Sequence, residues 1–145
     1  MIIHFVCLGN IYRSRLAEAY LNSKKLPNVS VISSGISASE NNNRPISWLT
    51  QRLYEVYKLV PFQKSNWAQT SKVLLDSADL TIFFDNKYYQ YCVENFGFNS
   101  DNFEIWEIAD LDGNIKEHLE KIKITEDSFR VIKERVDNLI ERRKF

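Results

Sequence analysis

"IIHFVCLGNIYRSRLAEAYL", residues 2–21, decides how the rest of the chain is read. Its first six residues, Ile2 to Cys7, are β-branched and apolar and predict a buried strand. Its last part carries Leu16, Ala19, Tyr20 and Leu21 in helical register, with Ser14 where a cap for that helix is expected. Leu8, Gly9, Asn10, Ile11 and Tyr12 form the connection, so the chain opens as strand, loop, helix.

Working outward, the same alternation continues. Val29 to Gly35 reads as a second strand ending in a turn signal, and "ISASENNNRP", residues 36–45, as a polar loop. Pro45 then opens "PISWLTQRLYEVYKL", whose Ile46, Leu49, Leu53, Val56 and Tyr57 share one helical face. "SNWAQTSKVLLDS" predicts a short helix, "ADLTIFF" a continuous apolar strand leading to Asp85, and "NKYYQYCVENF" a further helix. "FEIWEIAD" predicts a fourth strand ending on Asp110. "TEDSFRVIKERVDNLIERRK" predicts a long terminal helix with Phe129, Ile132, Val136, Leu139 and Ile140 turned inward. Strands alternating with helices predict a single α/β domain over residues 1–145. Its core is a four-stranded parallel sheet flanked by helices on both faces, in a flavodoxin-like three-layer arrangement. Ligands of such sheets bind at the carboxyl ends of the strands, which puts Cys7 and Asp110 on one rim.

Composition narrows the partners. The 145 residues suffice for one ordinary core, and 19 basic residues balance 19 acidic ones, so no global field favours nucleic acid or an anionic membrane. No run approaches the roughly 18 apolar residues of a membrane span. Cys7 and Cys92 are too few for a disulfide scaffold, and the chain starts in a strand without a signal-peptide pattern, so a reducing cytoplasm is the expected location. His4 and His118 make no ligand pattern with the cysteines; no metal or other cofactor is expected.

The first loop carries the chemistry. Successive backbone N–H groups leading into a helix N-terminus converge on a concavity suited to a tetrahedral oxyanion such as phosphate or sulfate. Gly9 would permit the loop to close, and Arg13 would offer a bidentate fork to two anion oxygens. The same field favours the thiolate of a cysteine facing it, and Ser14 could donate to that sulfur. Thiolate attack on a bound phosphorus would give a phosphocysteine that water resolves.

Cys-x5-Arg-Ser as "CLGNIYRS", followed by "AE" in the next helix, resembles the low-molecular-weight protein tyrosine phosphatase family. Further matching segments are "SSG" at Ser33 to Gly35, "ADLTIFFDNKYY" and "IADLDGN". The resemblance implies a phosphomonoester hydrolase acting on phosphotyrosine or a small aryl phosphate, with Cys7 as nucleophile, Arg13 on the anion and Asp110 as general acid. It also implies that Leu8 to Tyr12 and Ser14 bind substrate, that Asn10 braces the loop, and that Ser34 and Asp85 support the site. Where the family has Asp-Pro-aromatic, this chain reads Asp110, Leu111, Asp112, which makes Asp112 a rival acid. The family's cysteine and proline are replaced by Tyr12 and Arg15, its histidine near the loop asparagine aligns with Gln63, and Ser39 and Glu40 stand where an aromatic wall is expected. Tyr12 is a candidate substitute wall. Two other functions use the same cradle: an arsenate reductase, for which Cys92 is the one further thiol, and a catalytically weak phosphate-binding module.

Overall fold

The structure is a computed structural model that describes residues 1–41 and 46–145. Strands β1 (Ile2–Cys7), β2 (Ser30–Gly35), β3 (Leu80–Phe83) and β4 (Phe103–Ile105) form one parallel sheet in the order β2-β1-β3-β4. Helices α1 (Arg13–Ser23), α2 (Trp48–Val56), α3 (Lys72–Ser77), α4 (Asn86–Phe96) and α5 (His118–Arg143) cover its two faces, as the alternating pattern predicts. β1 is central and fully apolar on its buried side chains apart from His4, which explains why its sequence lacks the period-two alternation of a half-exposed strand. β2 lies on one side of β1 and β3 on the other, so the chain reverses its direction across the sheet at β1. The loop after Cys7 therefore opens at the switch point where such sheets bind ligands.

Several elements differ from the sequence reading for identifiable reasons. The residues before Ser71 do not join α3: Gly35 N–H donates to the Ala68 carbonyl and Thr70 N–H to the Gly35 carbonyl, which lays this segment along the end of β2. α3 begins only after Ser71, whose hydroxyl accepts from Leu74 N–H. β4 stops at Ile105 instead of running to Asp110. Ile108 N–H donates to both Phe84 and Trp106 carbonyls, a tight turn that leaves the ladder and carries Ala109 and Asp110 over the first loop. α2 starts at Trp48 with Ser47 as its cap; Pro45, expected to open it, lies outside the described residues. On α2, Leu49 and Leu53 are buried as expected, whereas Val56 is 52% exposed. A 3-10 turn, Ala38–Asn41, occupies part of the expected polar loop. α5 begins seven residues earlier than expected and buries Phe129, Ile132, Val136 and Leu139, with Ile140 only half-buried. No helix among the described residues is long and apolar enough to cross a membrane.

Candidate active site

Cys7 ends β1 with its side chain 2% exposed, and the loop folds back over the sulfur. Asn10 N–H donates to Cys7 Sγ at 3.3 Å, and the Ser14 hydroxyl meets the same sulfur at 2.8 Å. Ser14 is thus not the helix cap that its position suggests; α1 starts at Arg13, no side-chain bond caps it, and the hydroxyl serves the sulfur instead. The left-handed turn falls on Asn10, at φ 55°, and not on Gly9. Asparagine tolerates this conformation because its short amide can satisfy local groups. Here the amide nitrogen donates to Ser14 Oγ (2.8 Å) and Ser33 Oγ (2.9 Å), and the amide oxygen accepts from Ala68 N–H (2.9 Å).

The support beneath the loop departs from the expected one. The Ser34 hydroxyl does not reach Asn10: it pairs with His4 Nε2 and Thr70 Oγ1, both at 2.6 Å, and Ser33 makes the contact expected of Ser34. Gln63 donates to the Gln51 side chain and takes no part in the Asn10 network. The adjacent Lys64 does, donating to the Ser33 carbonyl at 2.8 Å. Gly35, read from sequence as a turn signal, is where the loop presses on β2: a Cβ there would stand 2.5 Å from the Leu8 carbonyl oxygen. Asp85 does not touch the loop; it caps α4 by accepting from Lys87 N–H at 2.9 Å.

Arg13 is 2% exposed and held from three sides. Its Nη1 donates to the Ile108 carbonyl (2.8 Å), its Nη2 to the Tyr88 hydroxyl (2.8 Å), and Nη2 lies 3.3 Å from Asp110 Oδ2. Burial opposes its charge, but the Cys7 sulfur, Asp110 and Tyr88 outweigh burial and hold the guanidinium protonated. Among the described residues Arg13 Nε, buried in the site, has no hydrogen-bond partner in the protein. Tyr88 was not singled out by its sequence context; it is the third residue of α4, in the turn that Asp85 caps, and its hydroxyl reaches Arg13 from there.

Cys7, Arg13 and Asp110 open onto one cavity of about 410 Å³, with Ile11, Leu49 and Leu111 among its apolar lining and Glu40 at its edge. Asp112 does not line it and closes a turn by accepting from Asn114 N–H. Tyr12 contributes to the lining while only 8% exposed, so most of its ring packs into the core, and burial pushes its phenol up. Cys92 sits on α4, fully buried, its thiol pushed up to about 12 by burial. A thiol in that state is a poor relay for the electrons an arsenate reductase must pass on.

A sheet-end cysteine inside an amide-lined loop, with an arginine and an aspartate across one cavity, defines a cysteine-dependent phosphatase. The sequence model of the low molecular weight phosphotyrosine protein phosphatase family matches residues 2–142, and the chain belongs to that family. It is accordingly a phosphomonoester hydrolase, and neither the reductase nor the binding-module reading is favoured. Among solved structures it is similar to the low molecular weight protein tyrosine phosphatase of T. tengcongensis (21% identity, TM-score 0.79, 98% of this chain and 99% of that one). It is also similar to one from Bacillus subtilis (25%, TM-score 0.76, 99% and 97%) and to the YwlE arginine phosphatase of Geobacillus stearothermophilus (24%, TM-score 0.78, 99% and 92%). Among curated proteins none matches the chain.

Proposed function

We infer that the chain hydrolyses aryl phosphomonoesters, phosphotyrosine in proteins foremost, through a phosphocysteine on Cys7. The observation that carries this is the convergence of Asn10 N–H and Ser14 Oγ on Cys7 Sγ in a cavity that Arg13 and Asp110 also line. The phosphoryl oxygens take backbone N–H groups of the loop from Leu8 to Arg13 other than that of Asn10, which serves the sulfur, and the guanidinium of Arg13, whose Nε is without a protein partner. The Cys7 thiolate forms an S–P bond in line with the departing oxygen as the P–O bond breaks, and Asp110 gives that oxygen its proton. Asp110 then takes a proton from water as the water oxygen attacks phosphorus, the S–P bond breaks, and phosphate leaves with the thiolate restored. Ser14, donating to the sulfur, stabilises it as leaving group in this second step. Leu111, Leu49 and Ile11 give a phenyl ring apolar walls in place of the aromatic ones the family provides. A thiol nucleophile requires a reducing compartment, which accords with both cysteines being free.

The test is hydrolysis of p-nitrophenyl phosphate and a phosphotyrosine peptide, with phosphoarginine, the substrate class in the name of one structural neighbour, as control. Rapid quenching with labelled substrate should leave acid-stable, hydroxylamine-resistant phosphate on wild-type protein and no turnover in Cys7→Ser. Turnover retained by Cys7→Ser refutes the mechanism, and preference for phosphoarginine refutes the substrate.

A further inference from the structure

We propose that Lys64 is a positioning residue for this phosphatase: its ammonium, seated behind the oxyanion loop, fixes the loop through Ser33 and favours the thiolate of Cys7. The inference rests on Cys7 being the nucleophile, and it adds a charge that no part of the Cys-x5-Arg pattern supplies.

The contacts form one continuous path. Lys64 Nζ donates to the Ser33 carbonyl at 2.8 Å. The Ser33 hydroxyl accepts from the Asn10 amide at 2.9 Å and donates to Glu18 Oε1 at 3.1 Å. That same Asn10 amide donates to Ser14 Oγ, which touches Cys7 Sγ. The backbone at Lys64 is tied to the loop as well: Arg15 Nη2 donates to the Lys64 carbonyl at 2.7 Å, and Arg15 Nη1 to the Asn10 carbonyl at 3.3 Å. Lysine is a long, strongly hydrated cation that ordinarily keeps its ammonium in water. Here it turns inward to a backbone carbonyl beneath the one loop that must hold an anion.

The charges facing it come from two elements. From α1, Glu18 attracts the ammonium and Arg15 repels it; from β1, the Cys7 sulfur attracts it, and His4 is kept neutral, its imidazole pushed down to about 3 by burial and then by Lys64. Burial is the largest influence on Lys64 and pushes it down to about 8, with Glu18 and Cys7 opposing. The ammonium thus stands as a positive charge behind the loop, on the side from which Ser33 and Asn10 hold Ser14 against the sulfur. Below about pH 8 the loop has a positive charge behind it; above, that charge is lost.

Alkylation by iodoacetamide tests this, because it needs the Cys7 thiolate but neither Asp110 nor a phosphate. Rates are measured from pH 5 to 9.5 for wild type, Lys64→Met and Lys64→Arg, with Cys7→Ser as blank and thermal melts to establish folding. Lys64→Met should move its rate profile to higher pH and alkylate about tenfold more slowly near pH 7, one unit along the axis. Lys64→Arg, which keeps the charge, should retain most of the wild-type rate and lose any change near pH 8. An unmoved profile in Lys64→Met overturns the proposal, as does Lys64→Arg behaving like Lys64→Met, which would make the role one of packing. Should Lys64→Met not fold, Lys64→Gln replaces it with the same expected shift. Failure of the nucleophile assignment is distinguishable: it appears as turnover in Cys7→Ser.

Discussion

Gly35→Ala should disable the enzyme while leaving it folded. The ideal Cβ would stand 2.5 Å from the Leu8 carbonyl oxygen, 2.7 Å from the Asn10 amide nitrogen and 2.8 Å from the Gly9 carbonyl carbon. All three are backbone atoms, so no rotamer change relieves them. Ordinary contact begins at 3.4 Å, so the loop must retreat by roughly 1 Å. The β2 side cannot yield as easily, because Gly35 pairs with Cys7 in the ladder and exchanges bonds with Ala68 and Thr70. Overpacking of this kind costs about 1–3 kcal/mol. At about 2–4 °C per kcal/mol for a chain of this size, Tm should fall by roughly 2–12 °C, leaving the protein native at 25 °C. A shift of about 1 Å in catalytic groups costs about 10²-fold in rate. The expected result is kcat/KM for p-nitrophenyl phosphate reduced about 100-fold in a variant that melts cooperatively. Activity within about threefold of wild type would show that the loop tolerates the displacement and that Gly35 does not set its shape.

Tyr88→Phe keeps the ring over Arg13 and removes the hydroxyl that accepts from Nη2; with a charged hydrogen bond worth about 1.5–3 kcal/mol, kcat/KM should fall about tenfold or more in steady-state kinetics, and unchanged kinetics would leave the Ile108 carbonyl and Asp110 sufficient to orient Arg13. Asp110→Asn should slow hydrolysis by about 10²–10⁴-fold and remove the basic limb of the rate profile, while Asp112→Asn, outside the cavity, should do neither; the reverse result would transfer the acid role to Asp112. His4 should contribute acid lability. Its folded value of about 3 lies below the 6.5 of an ordinary histidine, so the unfolded chain takes up a proton that the folded one refuses between those limits. Stability is therefore full above pH 6.5 and falls as the pH drops towards 3, by up to about 1.4 kcal/mol per unit from this group. Urea unfolding at pH 7 and 5 should show that fall in wild type and a smaller one in His4→Gln; an equal fall would assign the lability elsewhere.

What could be read from sequence was whatever a short segment decides by itself. The strand at Ile2–Cys7 and the helix after Arg13 follow from local apolar spacing, and Cys7 and Arg13 are fixed to each other by the one loop that joins them. Asp110 was reachable because it follows an apolar run, even though the strand proper ends at Ile105. Lys64, Tyr88 and the close approach at Gly35 were not legible, since each acts on the loop from a segment at least 20 residues away, and its own neighbours give no sign of the target. Of the two uses the sequence offers for the Ser14 hydroxyl, capping the helix and serving the Cys7 sulfur, the structure takes the second. One hydroxyl cannot serve both the helix N–H groups and the sulfur, and local spacing does not say which of the two it takes.

The departures from the family pattern are related to one another in space. Arg15, where the family has proline, is 1% exposed and bonds the carbonyls of Asn10 and Lys64, so it joins the loop to the segment from which Lys64 reaches Ser33. Two cations thus lie behind the loop with Glu18 as the carboxylate facing them, and burial pushes Glu18 up against the pull of Lys64 and Arg15. Such a cluster is costly when its positive charge is only partly matched. An anion on the opposite side of the same loop, whether the Cys7 thiolate or a phosphoryl group, relieves that imbalance. Arg15, Lys64 and Ser33 therefore constitute a support in which the histidine of the family pattern is not needed, and the field it creates acts with Arg13 on the same side of the charge balance.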